Sequence, residues 1–271
     1  MRKSSYNGPG EGLKRAYESV DREFAEESGS TRRGLIAGTA ATLGGMAAMT
    51  LPDFAKAEDL SPNNTQENLL AVAATAEVLA TIVNTVGADV DGLDRVTRRN
   101  VKAAAQQELE HYNVLKSLGA QELTKRIWIP DALFKKPENL LNGLQFGDQV
   151  FINAYLIATT VFGDAGNGQF ARYTAEFMGV EGVHRALARQ SLGLLGNDRV
   201  FMKFSQEETA KGAPGKGQRG FTDILEAPKL LSGVGGFGFG VEGAKPGKFY
   251  EFDKVSRDTP QVAQVNTDSV N

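Results

Sequence analysis

Apolar residues recur at helical spacing along four stretches of the chain, about Thr65–Val86, Leu93–Leu118, Pro137–Phe162 and Gln169–Leu192. The boundaries carry their own signals. A polar Pro62-Asn63-Asn64 entry precedes the first stretch, and Gly119 and Gly193 follow the second and fourth, where a helix commonly ends on glycine. Pro137 opens the third stretch, a position where a helix loses nothing by lacking an N–H. A glycine-rich cluster, Gly163 to Gly168, separates the third stretch from the fourth. The connection after Gly119 is roughly twenty residues, too long for a tight turn and long enough to cross the end of a bundle. It contains Trp128-Ile129-Pro130-Asp131. The pattern predicts an all-α four-helix bundle with a long crossover between the second and third helices.

The character changes after Gly193. Residues 194–220 are polar and rich in Gly and Lys, and Phe221–Leu231 reads as a short helix capped by Thr222. The run Gly233-Val234-Gly235-Gly236-Phe237-Gly238-Phe239-Gly240 has no strand before it and no helix start after it, so it is not a phosphate loop. It reads as an irregular strap laying its phenylalanines on the bundle, with a frayed tail after about Asp258. The expected organisation is a leader over 1–57, a bundle over 58–193 and a C-terminal extension over 194–271.

The leader is argued from its own pattern. Residues 1–31 are polar and of mixed charge. Arg32-Arg33 then precede a segment, Gly34 to Pro52, without a charged residue, and Ala55-Lys56-Ala57 forms a small-x-small cleavage site before Glu58. This arrangement resembles a twin-arginine export signal, with Arg32, Arg33, Ala55 and Ala57 as its marks. The alternative is an uncleaved anchor or a buried helix, although the Gly/Ala/Thr-rich segment is less hydrophobic than anchors usually are. Export by that route implies a periplasmic, cell-envelope or extracellular location and a mature form that does not span the membrane.

Composition narrows the chemistry. The chain has no cysteine, which excludes thiolate sites, and only two histidines, so any imidazole chemistry falls on His111 or His184. A net charge of −3 over 271 residues gives no reason to expect nucleic acid as a partner. Both histidines follow a glutamate by three residues: Glu108-Leu109-Glu110-His111 and Glu181-Gly182-Val183-His184. With glutamate at 19 of 271 positions, chance gives that double match about once in two hundred, far below the false-positive rate of one such motif. Residues three apart share a helix face. That face is the apolar one, since Val101, Ala104, Glu108, His111 and Leu115 form one stripe and Phe177, Glu181, His184 and Ala188 another. Glu110 falls on the opposite, solvated side. The other two helices each place one carboxylate on their stripe, Glu77 among Leu70, Ala73 and Ala80, and Asp148 among Leu141, Leu144, Phe151 and Tyr155. Charged groups on a core-facing stripe need a partner or a metal. Four carboxylates and two Glu-x-x-His imidazoles make the pattern of a two-metal carboxylate site in a bundle.

From Asn68 to Arg189 the chain resembles the ferritin-like domain of exported bacterial proteins and plant desiccation-related proteins. The segment Phe221–Tyr250, ending Lys245-Pro246-Gly247-Lys248-Phe249-Tyr250, resembles a tail that accompanies some members. The resemblance implies Glu77 and Asp148 as terminal ligands, Glu108 and Glu181 as bridges, and His111 and His184 as one ligand each. Asp148 departs from the family pattern, which has Glu there. A dinuclear iron or manganese cofactor is expected, from oxygen and imidazole donors. Tyr112 and Tyr155 are expected in the core or as hydrogen-bond donors beside the ligands. Two function classes stand open: a metal-handling or redox protein with oxidase, ferroxidase or catalase-like chemistry, and a non-catalytic envelope or stress scaffold. Metal ions are the expected partners, with a homo-oligomer left open.

Overall fold

The computed structural model describes residues 60–196, 202–203 and 218–261. The leader over 1–57, with Arg32, Arg33, Ala55 and Ala57, lies outside the described residues, as do most of 194–220 and the tail from 262.

Four long helices dominate: α1 (Gln66–Gly87), α2 (Arg95–Ser117), α3 (Pro137–Asp164) and α4 (Gly168–Ser191). Their starts are fixed by side chains that accept the unpaired first-turn N–H groups. Thr65 accepts from Asn68, Asp94 from Val96 and Thr97, and Asn167 from Phe170. Pro137 opens α3, which has no side-chain cap. At the end of α2 the chain turns through Gly119 at φ +90°, a conformation a side chain would strain. α1 packs on α2 and α3 on α4, while α1 also meets α3 and α2 meets α4. α1 is apolar on nearly every side, with a mean hydropathy of 1.8 in its most apolar window, yet 78% of that window is buried inside the protein. Length and composition would let α1 cross a membrane, and here its neighbours cover it.

The fold is mostly helical but not all-α, because the crossover and the C-terminal extension pair into a sheet. β1 (Arg126–Pro130) lies in the centre, and a two-residue parallel pair joins β2 (Met202–Lys203) to β3 (Gln218–Arg219) elsewhere. After the short α5 (Glu226–Leu230) and a π turn (Leu231–Gly235) come β4 (Gly238–Phe239) and β5 (Gly247–Glu251), both antiparallel to β1. Ile127 and Ile129 point into the core while Trp128 faces outward, its indole N–H donating to the Lys245 carbonyl at 2.9 Å. Gly247 is required where β5 meets β1: a Cβ there would lie 2.3 Å from the Ile129 carbonyl oxygen.

The extension does lay apolar side chains on the helices. Ile224, Ala227, Leu231, Phe237 and Phe252 are buried in the common core, each large one contributing about 1.5–3 kcal/mol over exposure. Asn153 on α3 clamps it by exchanging two hydrogen bonds with the Phe221 backbone. Two expectations need correction. Thr222 does not cap α5; its carbonyl accepts from Ser61 and Asn64, while Asp223 accepts from the Leu225 N–H. The chain also does not loosen at Asp258, since Thr259 is buried with its hydroxyl 2.9 Å from that of Thr85.

Candidate metal centre

The packing of α1 to α4 brings the six sequence-predicted ligands together. They form two overlapping groups, Glu77–Glu108–His111–Glu181 and Glu108–Asp148–Glu181–His184, and within each group one donor atom per residue lies within 4.8 Å of the others. Two donors on opposite sides of one first-row ion at about 2.1 Å would be about 4.2 Å apart. Both groups are thus of about the size that the donors around one ion span. The shorter side chain of Asp148 does not remove it from its group.

The two shared carboxylates have a specific orientation. Glu108 turns Oε2 to His111 Nδ1 at 3.4 Å and Oε1 to His184 Nδ1 at 3.1 Å. Glu181 turns Oε1 to His111 Nδ1 and Oε2 to His184 Nδ1, at 3.6 and 3.5 Å. Each therefore offers one oxygen to each imidazole. Glu77 Oε1 lies 3.6 Å from His111 Nδ1, on that imidazole's half alone. All six residues are buried, with Glu77, Glu108 and Glu181 fully so.

The cluster is short of donors. Both oxygens of Glu108 and of Glu181, one oxygen each of Glu77 and Asp148, and Nδ1 of both histidines lack hydrogen-bond partners. Buried polar atoms nearly always have a partner, and eight such atoms converging on one space fit a cation binding there. The protonation pattern is the same demand seen electrostatically. Burial pushes the carboxyls of Glu77 and Asp148 well up, and neighbouring carboxylates add to it. Burial would also raise Glu108, but the imidazoles of His184 and His111 outweigh it and hold it well below the usual carboxylate range. For both imidazoles burial favours the neutral form, and the facing carboxylates, Glu77 first for His111 and Glu108 for His184, overturn this and push them well up. Without a cation, protons take its place.

Supporting groups were only partly legible. Tyr155, buried on α3, donates its hydroxyl to Glu77 Oε1. Tyr112 does not reach the ligands; its hydroxyl donates to Glu122 at 3.2 Å and its ring packs on Phe252. The sequence reading missed Gln107, whose Oε1 lies 2.7 Å from His184 Nε2. An Nε2–H donated there leaves the Nδ1 lone pair for a metal. It also missed Arg185, 2% exposed, whose charge acts on Asp148. His111 is held instead by stacking on Phe177, with ring centroids 4.1 Å apart. Glu110 is exposed, as its place on the opposite face requires.

These residues can hold a metal ion. No protein-family model, curated protein or solved structure matches the chain.

Proposed function

We propose that this chain is an exported ferritin-like protein that binds a dinuclear iron or manganese centre and uses it in oxidase- or ferroxidase-like chemistry, or catalase-like chemistry, in protection against stress. The observation that carries the reading is the paired orientation of Glu108 and Glu181, each with one oxygen toward each imidazole. Two bridging carboxylates need that orientation and a one-metal site does not.

Glu77 and His111 would complete one metal position, and Asp148 and His184 the other. Four carboxylates offset the charge of two divalent cations, and donors of oxygen and imidazole suit iron or manganese. Such a pair, when bound, would supply one-electron redox chemistry at two adjacent positions, with dioxygen or hydrogen peroxide as the oxidant. The surrounding residues hold and orient. Tyr155 fixes the Glu77 carboxylate by donating to it, and Gln107 and Phe177 fix the two imidazoles. Both histidines serve as ligands here, which leaves neither as a general base. Export rests on Arg32-Arg33, the uncharged segment behind them and Ala55-Lys56-Ala57.

The test is consumption of dioxygen and of hydrogen peroxide by protein loaded with iron or manganese, compared with His111→Ala. A loaded wild type that consumes neither contradicts the redox reading. One observation favours a second reading, a non-catalytic scaffold: every imidazole–carboxylate approach is also within ion-pair distance. The cluster would then be a buried ion-pair network, and purified protein would carry no metal.

A further inference from the structure

An apolar cavity of about 60 Å³ lies between α1, α3 and the C-terminal extension. Its helix walls mix larger apolar residues, Leu69 and Val72 on α1 and Phe151 on α3, with four alanines, Ala73 and Ala76 on α1 and Ala154 and Ala158 on α3, and Ile224 and Leu231 of the extension line it as well. Residues three or four apart share a face, so small side chains on two facing stripes leave the space. Any one of them as leucine or phenylalanine would fill it. Folded interiors rarely keep such voids, because each costs stability.

The cavity suits an apolar occupant. Among its lining residues only Thr75 and Tyr155 carry polar side-chain groups, and both are engaged. The Thr75 hydroxyl donates to the Ala71 carbonyl at 2.7 Å and accepts from the Leu123 N–H at 2.8 Å, and the Tyr155 hydroxyl donates to Glu77. A buried water needs two to four polar partners, so this space stays dry. Its volume is under half of the ~150 Å³ that admits benzene in an engineered cavity, which leaves a diatomic molecule or a noble-gas atom.

Position gives the site its meaning. The lining includes both Leu123, 64% exposed, and Tyr155, 2% exposed and bonded to the Glu77 carboxylate. We infer that this cavity is a binding site for dioxygen, one tyrosine away from the carboxylate–imidazole cluster. The inference deepens the proposed function and rests on it for the use made of the gas. It also separates the oxidants, because hydrogen peroxide needs hydrogen bonds that this wall does not supply.

Xenon is the probe. Crystals of the full chain under xenon pressure should show one xenon among Ala73, Ala154 and Ala158 in wild type and none in Ala154→Phe. Ala73→Leu, a smaller filling, serves if the phenylalanine variant melts early. With ferrous ion loaded to the same stoichiometry, the filled variant should react with dioxygen about tenfold more slowly and with hydrogen peroxide at the wild-type rate. An empty cavity in xenon-treated wild type overturns the site. A filled variant with an unchanged dioxygen rate overturns its role. Uptake of xenon by a chain that binds no metal keeps the gas site and removes the proposed function instead.

Discussion

Replacing Glu77 by glutamine separates a metal ligand from a structural ion-pair partner. Burial, with carboxylates nearby, drives Glu77 toward its neutral acid in the metal-free protein. Glutamine has the same shape, keeps an oxygen to accept from Tyr155, and puts its NH₂ where the acid O–H would be. Glu108 and Glu181, at 3.4 and 3.6 Å from His111 Nδ1, still face the imidazole that Glu77 also holds, so metal-free stability should change by no more than about 1 kcal/mol. The metal-bound state is different, because a charged ligand is gone. Loss of mere supporting groups around a metal costs about 10–100-fold in affinity, so a lost ligand should cost at least about 100-fold. At metal one hundred times its dissociation constant, the wild type gains about 2.7 kcal/mol, or about 5–11 °C in melting temperature for a domain of this size. At the same concentration the variant would sit near its own dissociation constant and gain only ~0.4 kcal/mol, about 1–2 °C. Melting curves with and without manganous ion measure both quantities. The scaffold reading predicts the reverse: breaking a buried ion pair costs about 3–5 kcal/mol, so metal-free Glu77→Gln would melt about 6–20 °C lower. That result, together with a wild type unmoved by metal, would refute the reasoning.

Protonation gives a further expectation with a definite sign. The metal-free fold raises Glu77, Asp148, His111 and His184, so their stabilisation is complete below the unfolded values, about 4.3 for Glu and 6.5 for His, and is lost as pH rises above them. Glu108, held low, contributes above the ordinary carboxylate range and loses its contribution only in strong acid. Metal must displace the held protons, so the melting increment from metal should grow between about pH 6 and pH 8; a pH-independent increment would contradict this protonation pattern. The two metal positions should differ in affinity, because Asp148 is one methylene shorter than Glu77 and the Arg185 charge acts on it. Calorimetric titration should show two steps in wild type and a tighter second step in Asp148→Glu, whereas two equal tight sites would rule out the asymmetry. Changing Arg32 and Arg33 to lysine should leave the precursor inside the cell, and otherwise the mature N-terminus should be Glu58; unchanged export of the variant would exclude the twin-arginine route.

The helices and the faces that carry the buried carboxylates and histidines were legible because both depend on local periodicity. A 3.6-residue repeat over more than twenty positions fixes a helix and its buried face, and Glu-x-x-His is a relation within one turn. Helix ends fell within one or two residues of the expected positions for the same reason, since caps and glycines are local. The sheet was not legible. β4 is two residues inside a glycine run, and its pairing with β1 joins positions more than a hundred residues apart. The tyrosines could have been told apart: Tyr155 follows Asp148 by seven residues, two turns on the same face, while Tyr112 follows His111 by one and is turned about 100° away. Gln107 and Arg185 could not, because what each meets depends on how α2, α3 and α4 cross.

The central claim, two metal ions bridged by Glu108 and Glu181, is tested most directly by anomalous scattering. Crystals of protein loaded with iron or manganese, measured above and below the absorption edge of that metal, locate each ion. The account predicts two peaks about 3.5–4 Å apart, one beside His111 and Glu77 and the other beside His184 and Asp148, with both shared carboxylates between them. Crystals saturated with metal that show no anomalous peak among these six side chains would contradict it.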